Sequence, residues 1–571
     1  MLIHYCQTVT KWGWPMFANL KTMNLSQQAE YLTKALVQMK SYNHSDGEKH
    51  KADFLKEIIH SYPSFYNNDN LVWTQEIPGD ELGRKNVFAF LKGRSRGKKT
   101  IIYLAHLDTV GTEDFGPIQG MAHDPDKLQE FFVQYGSDPE VQEDARSEEW
   151  LFGRGALDMQ SGIAVHLANL LFFSENPDEL DGNLLVMFNA DEEGEHKGSR
   201  AALSELLRLK EKMGLEYLAA INNDFISPLY DGDTTKYIYT GTAGKILPCF
   251  SIFGRETHAG ESLAGIDPTL IAAELTARIS QNFQLTEKLE GELVLPPSCL
   301  YMRDDKKRYD VQTAVGCRVY FNYFFYEKPL KQLSKELGMI AEDAAIAVEH
   351  RLKGAYKDFR TVNKLPERQL DWGTEVTPLE DFLVYLEEKG IDTVSVMEEA
   401  RKQSSLKETD ARMIAFDIVE ALHQSDPEKK PRVVLFYGTP FLPANTVDVN
   451  AERGIFLKNC LEEVLAEEAE KTGEAFKIRK YFPYLSDGSF LSFDGSDEDI
   501  QSLKKNFPAI KSLFPIPLKA MRDLSIPVIN LGVYGKAGHK WTERVYKPYT
   551  FKVLPEIIRK LTSKILQKPG K

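Results

Sequence analysis

Basic residues are in short supply. Seventy Lys and Arg stand against 84 Asp and Glu in a chain of 571 residues, a formal charge of -14. That balance excludes general binding to nucleic acid or to anionic membranes, because either needs cations to release counterions or to meet lipid headgroups. Cysteine is scarce as well: Cys6, Cys249, Cys299, Cys317 and Cys460 are scattered, with no C-x-x-C pair. This excludes a thiolate zinc knuckle or a dithiol redox site and fits reduced thiols in a cytoplasmic protein. No continuous apolar run approaches the roughly 18 residues of a membrane span. The opening "MLIHYCQTVTKWGWPMFANLKTM" lacks the basic start, apolar stretch and cleavage site of an export signal, and residues 1–23 read as an N-terminal extension.

What is present is a globular composition, 42% hydrophobic and 27% charged, on a chain long enough for two or more domains. Helical spacing runs from Leu25 to Met39 and again up to Tyr62, followed by strand-like runs "LVWTQEI", "NVFAFLKG" and "TIIYLAHLD". After a polar, acid-rich excursion come helix 163–173, strand "NLLVMFNADEE", helix 200–213 and strand "YLAAINND". Alternating strands and helices predict an α/β fold, with a mixed, mostly parallel sheet flanked by helices. Near Lys236 the texture turns to alternating strands, which predicts an inserted α+β lid domain over 241–443, carrying a charged, mostly helical stretch at 351–430. The catalytic α/β domain is expected over 24–240 and 444–571.

Ligands of an open α/β sheet gather beyond the carboxyl ends of its strands. Those positions hold His106 and Asp108 in "IIYLAHLDTV", Glu192 and Glu193 in "FNADEEGE", and Asp224 in "INNDF". Asp158 lies in the glycine-flanked turn "GRGALDMQSG", and His539 follows "INLGVYGKAG". Alone, each has a plain structural reading as a capped strand end or an acidic turn. Together they form a donor set of imidazoles and carboxylates without thiolate, suited to zinc, manganese or cobalt in a hydrolytic site. So many carboxylates call for two divalent ions, about 3.5 to 4 Å apart, with Asp158 as the natural bridge. Asp108 is placed to accept the second N–H of His106. One of the adjacent glutamates should bind metal and the other carry protons.

These residues resemble the co-catalytic zinc amidohydrolases and peptidases that include acetylornithine deacetylase, succinyl-diaminopimelate desuccinylase, aminoacylase and glutamate carboxypeptidase. The segments "AHLDTV", "GRGALDMQSG", "NADEEGE", "NNDF", "GRETHAGESLAGIDP", "LSDGSF" and "GHKWTE" occur in that family's order. The extra central residues are most similar to its arginine-utilisation subgroup. The resemblance implies one metal on His106, Asp158 and Asp224, and a second on Asp158, Glu193 and His539. It also implies Glu192 as general base and acid, Asp108 as the residue orienting His106, and His258 of the lid as an oxyanion donor. A supporting role for Glu543 and a cis peptide after Asp158 belong to the same pattern. The implied activity is cleavage of an amide in a small N-acyl amino acid or short peptide, by a monomer or by a homodimer formed through the lid. Two departures are the long segment between His106 and Asp158 and the lid strand "RVYFNYFF", where Arg318 or Asn322 stands in place of a clear Asp-x-Arg carboxylate grip. A reading from another class is a catalytically idle homologue that binds an amino-acid-like ligand or serves in assembly.

Overall fold

The structure is a computed structural model. It describes residues 13–567 apart from residues 67, 96, 290, 409 and 485, so Cys6 and the first twelve residues of the expected extension lie outside it. The chain divides into two compact units, one of residues 1–242, 445–493 and 519–571, the other of residues 243–444 and 494–518.

The first unit is built on an eight-stranded sheet. Its strands are β1 (Val72–Glu76), β2 (Lys85–Lys92), β3 (Lys99–His106), β4 (Asn183–Asn189), β5 (Glu216–Asn222), β6 (Lys236–Tyr239), β7 (Phe476–Arg479) and β8 (Val528–Asn530), in the spatial order β1-β2-β4-β3-β5-β8-β6-β7. The central four, β4, β3, β5 and β8, run parallel. From Thr100 to His106 every residue of β3 is buried, as is all of β4, which is why both read as unbroken apolar runs instead of alternating ones. "KYIY" belongs to this sheet and not to the second unit, although its alternating texture resembles the strands that follow it.

Helices cover the sheet. They include α1 (Gly13–Leu20), α2 (Leu25–Val37), α3 (Gly47–His60), α4 (Ser161–Glu175), α5 (Lys197–Met213), α6 (Glu452–Thr472) and α7 (Leu554–Leu566). Helix α1 falls within the expected extension, yet Phe17 and Leu20 are buried in the main core. Asn24 and Gln27 close α2 with a reciprocal capping box. The stretch Ala156–Glu175 is long and apolar enough by composition to cross a bilayer, but 94% of it is buried inside the protein. A helix that is apolar all round is a core helix when the fold covers every face. The acid-rich excursion forms two short helices, Pro125–Gln134 and Pro139–Arg146. Each starts at an Asp-Pro pair, where the aspartate side chain caps the backbone and proline supplies a preset first turn.

The second unit holds a five-stranded sheet, Ser298–Asp304, Gly316–Phe325, Gly244–Phe253, Arg432–Leu442 and Glu375–Pro378 in that spatial order, antiparallel but for its last pair. A long helix runs over Leu330–Asn363. The charged stretch contributes one edge strand and the helices Leu379–Glu388, Thr393–Ser405 and Ala411–Gln424, whose apolar faces form a second core with Phe253, Val434 and Phe436.

Candidate active site

The four parallel strands end side by side at Asn189, His106, Asn222 and Asn530. The chain leaves β3 for β4 on one side and then takes up β5 on the other, so the crevice at the end of β3 is a topological switch point. His106 is the last residue of β3, with Nε2 3.0 Å from Asp158 Oδ1 and Nδ1 3.1 Å from the main-chain oxygen of Asp108. The Asp108 carboxylate lies 3.4 Å from the same Nδ1. It also accepts the backbone N–H groups of Glu192 and Glu193, at 3.0 and 2.9 Å. Asp108 therefore holds the glutamate turn as well as the imidazole, a second task that spacing alone does not reveal.

Asp158 sits in the turn Ala156–Gln160, where the backbone leaves helical geometry at Asp158 (φ -118°, ψ 98°) and Met159 (φ -131°, ψ 44°) and the peptide bond between them is cis. Gly155 opens the turn at φ 78°, where a Cβ would meet Thr109 at 2.6 Å; only glycine suits that position. Glu543 fixes the turn by accepting the N–H groups of Leu157 and Asp158 at 3.0 and 3.1 Å, and is itself paired with Arg154 at 2.8 Å. From below, the buried Lys51 ammonium donates to Ser41 Oγ and to Gln160 Oε1, at 2.6 and 2.7 Å.

Burial lowers the Lys51 pKa from 10.5 to about 7. Between those values the unfolded chain binds the proton more tightly than the folded one, so Lys51 weighs against folding below pH 7 and no longer does above 10.5. Wild-type stability, measured against Lys51→Met by denaturant titration, is expected to rise over that window by up to about 1.4 kcal/mol per pH unit. A flat difference would contradict this.

His539, half-exposed, brings Nε2 to 2.9 Å from Asp158 Oδ2 and 2.8 Å from Glu193 Oε1. The two oxygens of Asp158 thus face two different imidazoles. Donor atoms of His106, Asp158 and Asp224 lie within 4.8 Å of one another, and so do those of Asp158, Glu193 and His539. Burial and the Asp158 charge push Asp224 up to about 8 and raise Glu193. Burial, partly offset by His106, raises Glu192 well above the carboxylate range, with Glu193, Asp487 and Asp224 adding to it. Hydrogen bonds to Asp158 and Glu193 lift His539 to about 11, and those to Asp108 and Asp158 raise His106 against its burial. In the protein alone, imidazolium protons thus supply the positive charge this set of carboxylates demands. Divalent cations fit the same place, since the donors are the oxygen and nitrogen atoms such ions take.

Seven of the eight expected site residues lie in the first unit and converge. His258 lies in the second, where it opens the short turn Ala259–Ala264 and its Nδ1 accepts the Gly260 N–H at 3.1 Å. Also in the second unit, Arg318 is held by Asp417 and Glu420 at 2.7 and 2.6 Å. Two residues left aside by the sequence reading belong beside Glu192: His196 and Asp487 are both buried, 3.1 Å apart. The signal for Asp487 was present in "LSDGSF", but an aspartate before Gly-Ser also reads as a simple cap. His166 is a core histidine, stacked on Tyr103 and bonded to the Leu104 carbonyl.

Comparison with known proteins gives the family. Residues 102–491 match the peptidase family M20/M25/M40. Protein RocB of Bacillus subtilis (strain 168) is 51% identical over 551 residues, covering 96% of this chain and 97% of that protein. YqjN of the same organism, an uncharacterized protein, is 30% identical over 540 residues, 94% of this chain and 96% of its own. A succinyl-diaminopimelate desuccinylase of Orientia tsutsugamushi (strain Boryong) is 25% identical over 244 residues, 40% of this chain and 55% of that one. With more than half its length matched and a near full-length relative at 51% identity, this chain belongs to peptidase family M20/M25/M40.

Proposed function

We propose that this metallohydrolase uses two divalent cations, zinc foremost, to cleave an amide in a small N-acyl amino acid or short peptide of amino-acid catabolism. The observation that carries the reading is Asp158, whose two oxygens face His106 on one side and His539 on the other. His106, Asp158 and Asp224 would hold one ion, and Asp158, Glu193 and His539 the other. When bound, the pair supplies Lewis-acid polarisation of the amide carbonyl and of the attacking water. Glu192, buried at the same strand ends, takes the proton of that water and passes it to the departing nitrogen. Asp108 keeps His106 and the Glu192–Glu193 backbone in register. To His258 the reading assigns a hydrogen bond to the developing oxyanion. The 51% identity to Protein RocB supports the arginine-utilisation subgroup.

Arg318 is neutralised by two carboxylates, so it does not grip a substrate carboxylate without first breaking them away. That favours the idle-homologue alternative to a small degree, while the complete donor set and Glu192 oppose it. A screen of N-acyl amino acids and dipeptides, with and without chelator, separates the two. Chelator-sensitive hydrolysis of one class is expected; two bound ions with no turnover of any class would leave a binding or assembly protein.

A further inference from the structure

Outside the two proposed ligand sets, another group of buried titratable side chains reaches Glu192. His196 Nδ1 lies 3.1 Å from Asp487 Oδ1 and 4.0 Å from Glu192 Oε1. A carboxylate only accepts, so the Nδ1–H donates to Asp487 and fixes the ring. The other Asp487 oxygen accepts from Asn189 Nδ2 at 3.1 Å, which ties it to the last residue of β4, the strand that leads into Glu192. Phe490 packs against the imidazole, with ring centroids 5.4 Å apart.

The backbone gives a second, independent sign. His196 adopts φ 54°, the left-handed region, where a non-glycine residue is strained. Glycine or asparagine would serve a plain turn better. A strained histidine, its N–H held by the Asp191 carbonyl at 2.7 Å and its ring turned inward, is the kind of feature that marks function.

We propose that His196, clamped by Asp487, is a positioning residue that holds the Glu192 carboxylate in its working orientation. The inference rests on Glu192 as the proton carrier. Glu192 is buried with Glu193, Asp224 and Asp487 as its acidic neighbours. The imidazole edge, 4.0 Å from Glu192 Oε1, is a polar neighbour that belongs to neither proposed ligand set.

The test compares zinc-loaded full-length wild type with His196→Gly, His196→Asn, Asp487→Asn and Glu192→Gln. Glycine relaxes the strained backbone, so His196→Gly isolates loss of the ring from loss of folding. Crystal structures are expected to show Glu192 in one side-chain conformer in wild type and in several in His196→Gly, with two zinc ions retained in both. With the N-acyl amino acid or dipeptide that wild type turns over fastest, kcat is expected to fall roughly 10- to 100-fold in His196→Gly and Asp487→Asn, with KM within about twofold. His196→Asn, which tolerates the left-handed backbone and keeps a donor, should recover most of the loss. An unchanged Glu192 conformer in His196→Gly would overturn the proposal. So would a third zinc ion present in wild type and lost with the imidazole, which would make the cluster a metal site. Full activity in Glu192→Gln would instead remove the proton-carrier reading itself and leave the conformer result to stand or fall separately.

Discussion

Replacing Glu192 by glutamine is expected to lower kcat roughly a hundred- to ten-thousand-fold, the usual worth of a positioned general acid-base. Metal content should stay at the wild-type level, because Glu192 lies outside both proposed ligand sets. Glu193→Gln should do the reverse and lose an ion, since Glu193 Oε1 is one of the atoms facing His539. The adjacent pair therefore separates proton transfer from metal binding in one experiment. A stability effect accompanies it. Burial holds the Glu192 pKa far above the carboxylate range in the protein alone, so a glutamate there opposes folding at neutral pH relative to the unfolded chain, in which it ionises freely. Metal-free Glu192→Gln should melt at a higher temperature than metal-free wild type. A lower melting temperature, or loss of an ion from Glu192→Gln, would contradict the assigned role.

The largest effect on stability is expected from Arg84. Its guanidinium is almost fully buried and meets Asp80 at 2.6 Å, Asp191 at 2.5 Å and Glu48 at 3.4 Å. Glu48 in turn accepts the Asp191 N–H at 2.7 Å, and the Asp191 carboxylate accepts the N–H of Lys197 at 3.1 Å. Arg84 thus neutralises the acids that pin both ends of the turn carrying Glu192 and Glu193. Arg84→Met keeps much of the side-chain volume but leaves three buried carboxyl groups without their cation. Breaking one partner out of such a set costs about 3–5 kcal/mol, measured by denaturant titration. Arg94, which pairs with Asp181 at the surface, is the control: Arg94→Met should leave the midpoint unchanged. Equal midpoints for the two variants would show that the buried network contributes nothing specific.

The residues that could be read from sequence are those whose position follows from strand periodicity. His106, Glu192, Glu193 and Asp224 each lie at or just past the end of a buried apolar run, so reading strand ends finds them. Asp158 and His539 sit in glycine-bearing turns, and the family's motif order places them. The network beneath them was not legible. Arg84, Glu48 and Asp191 come from β2's edge, α3 and the end of β4, and no spacing rule joins positions so far apart. The same holds for His196 and Asp487, separated by 291 residues and brought together only when the chain returns to the first unit. Local signals were missed too. "HDPD" and "SDPE" are helix starts of a familiar kind, yet their high charge made the segment read only as a polar excursion. Residues 494–518, expected with the catalytic part, pack with the second unit: Asn506 bonds Glu380 and the Tyr437 backbone there.

The most direct measurement is the number and position of ions in zinc-loaded crystals of wild type and Asp158→Ala, by anomalous scattering and elemental analysis of the same protein. Wild type should hold two ions per chain, one beside His106 and Asp224 and the other beside Glu193 and His539, and Asp158→Ala should weaken both together. One ion in wild type, or a variant that loses one site and keeps the other at full occupancy, would contradict a shared bridge.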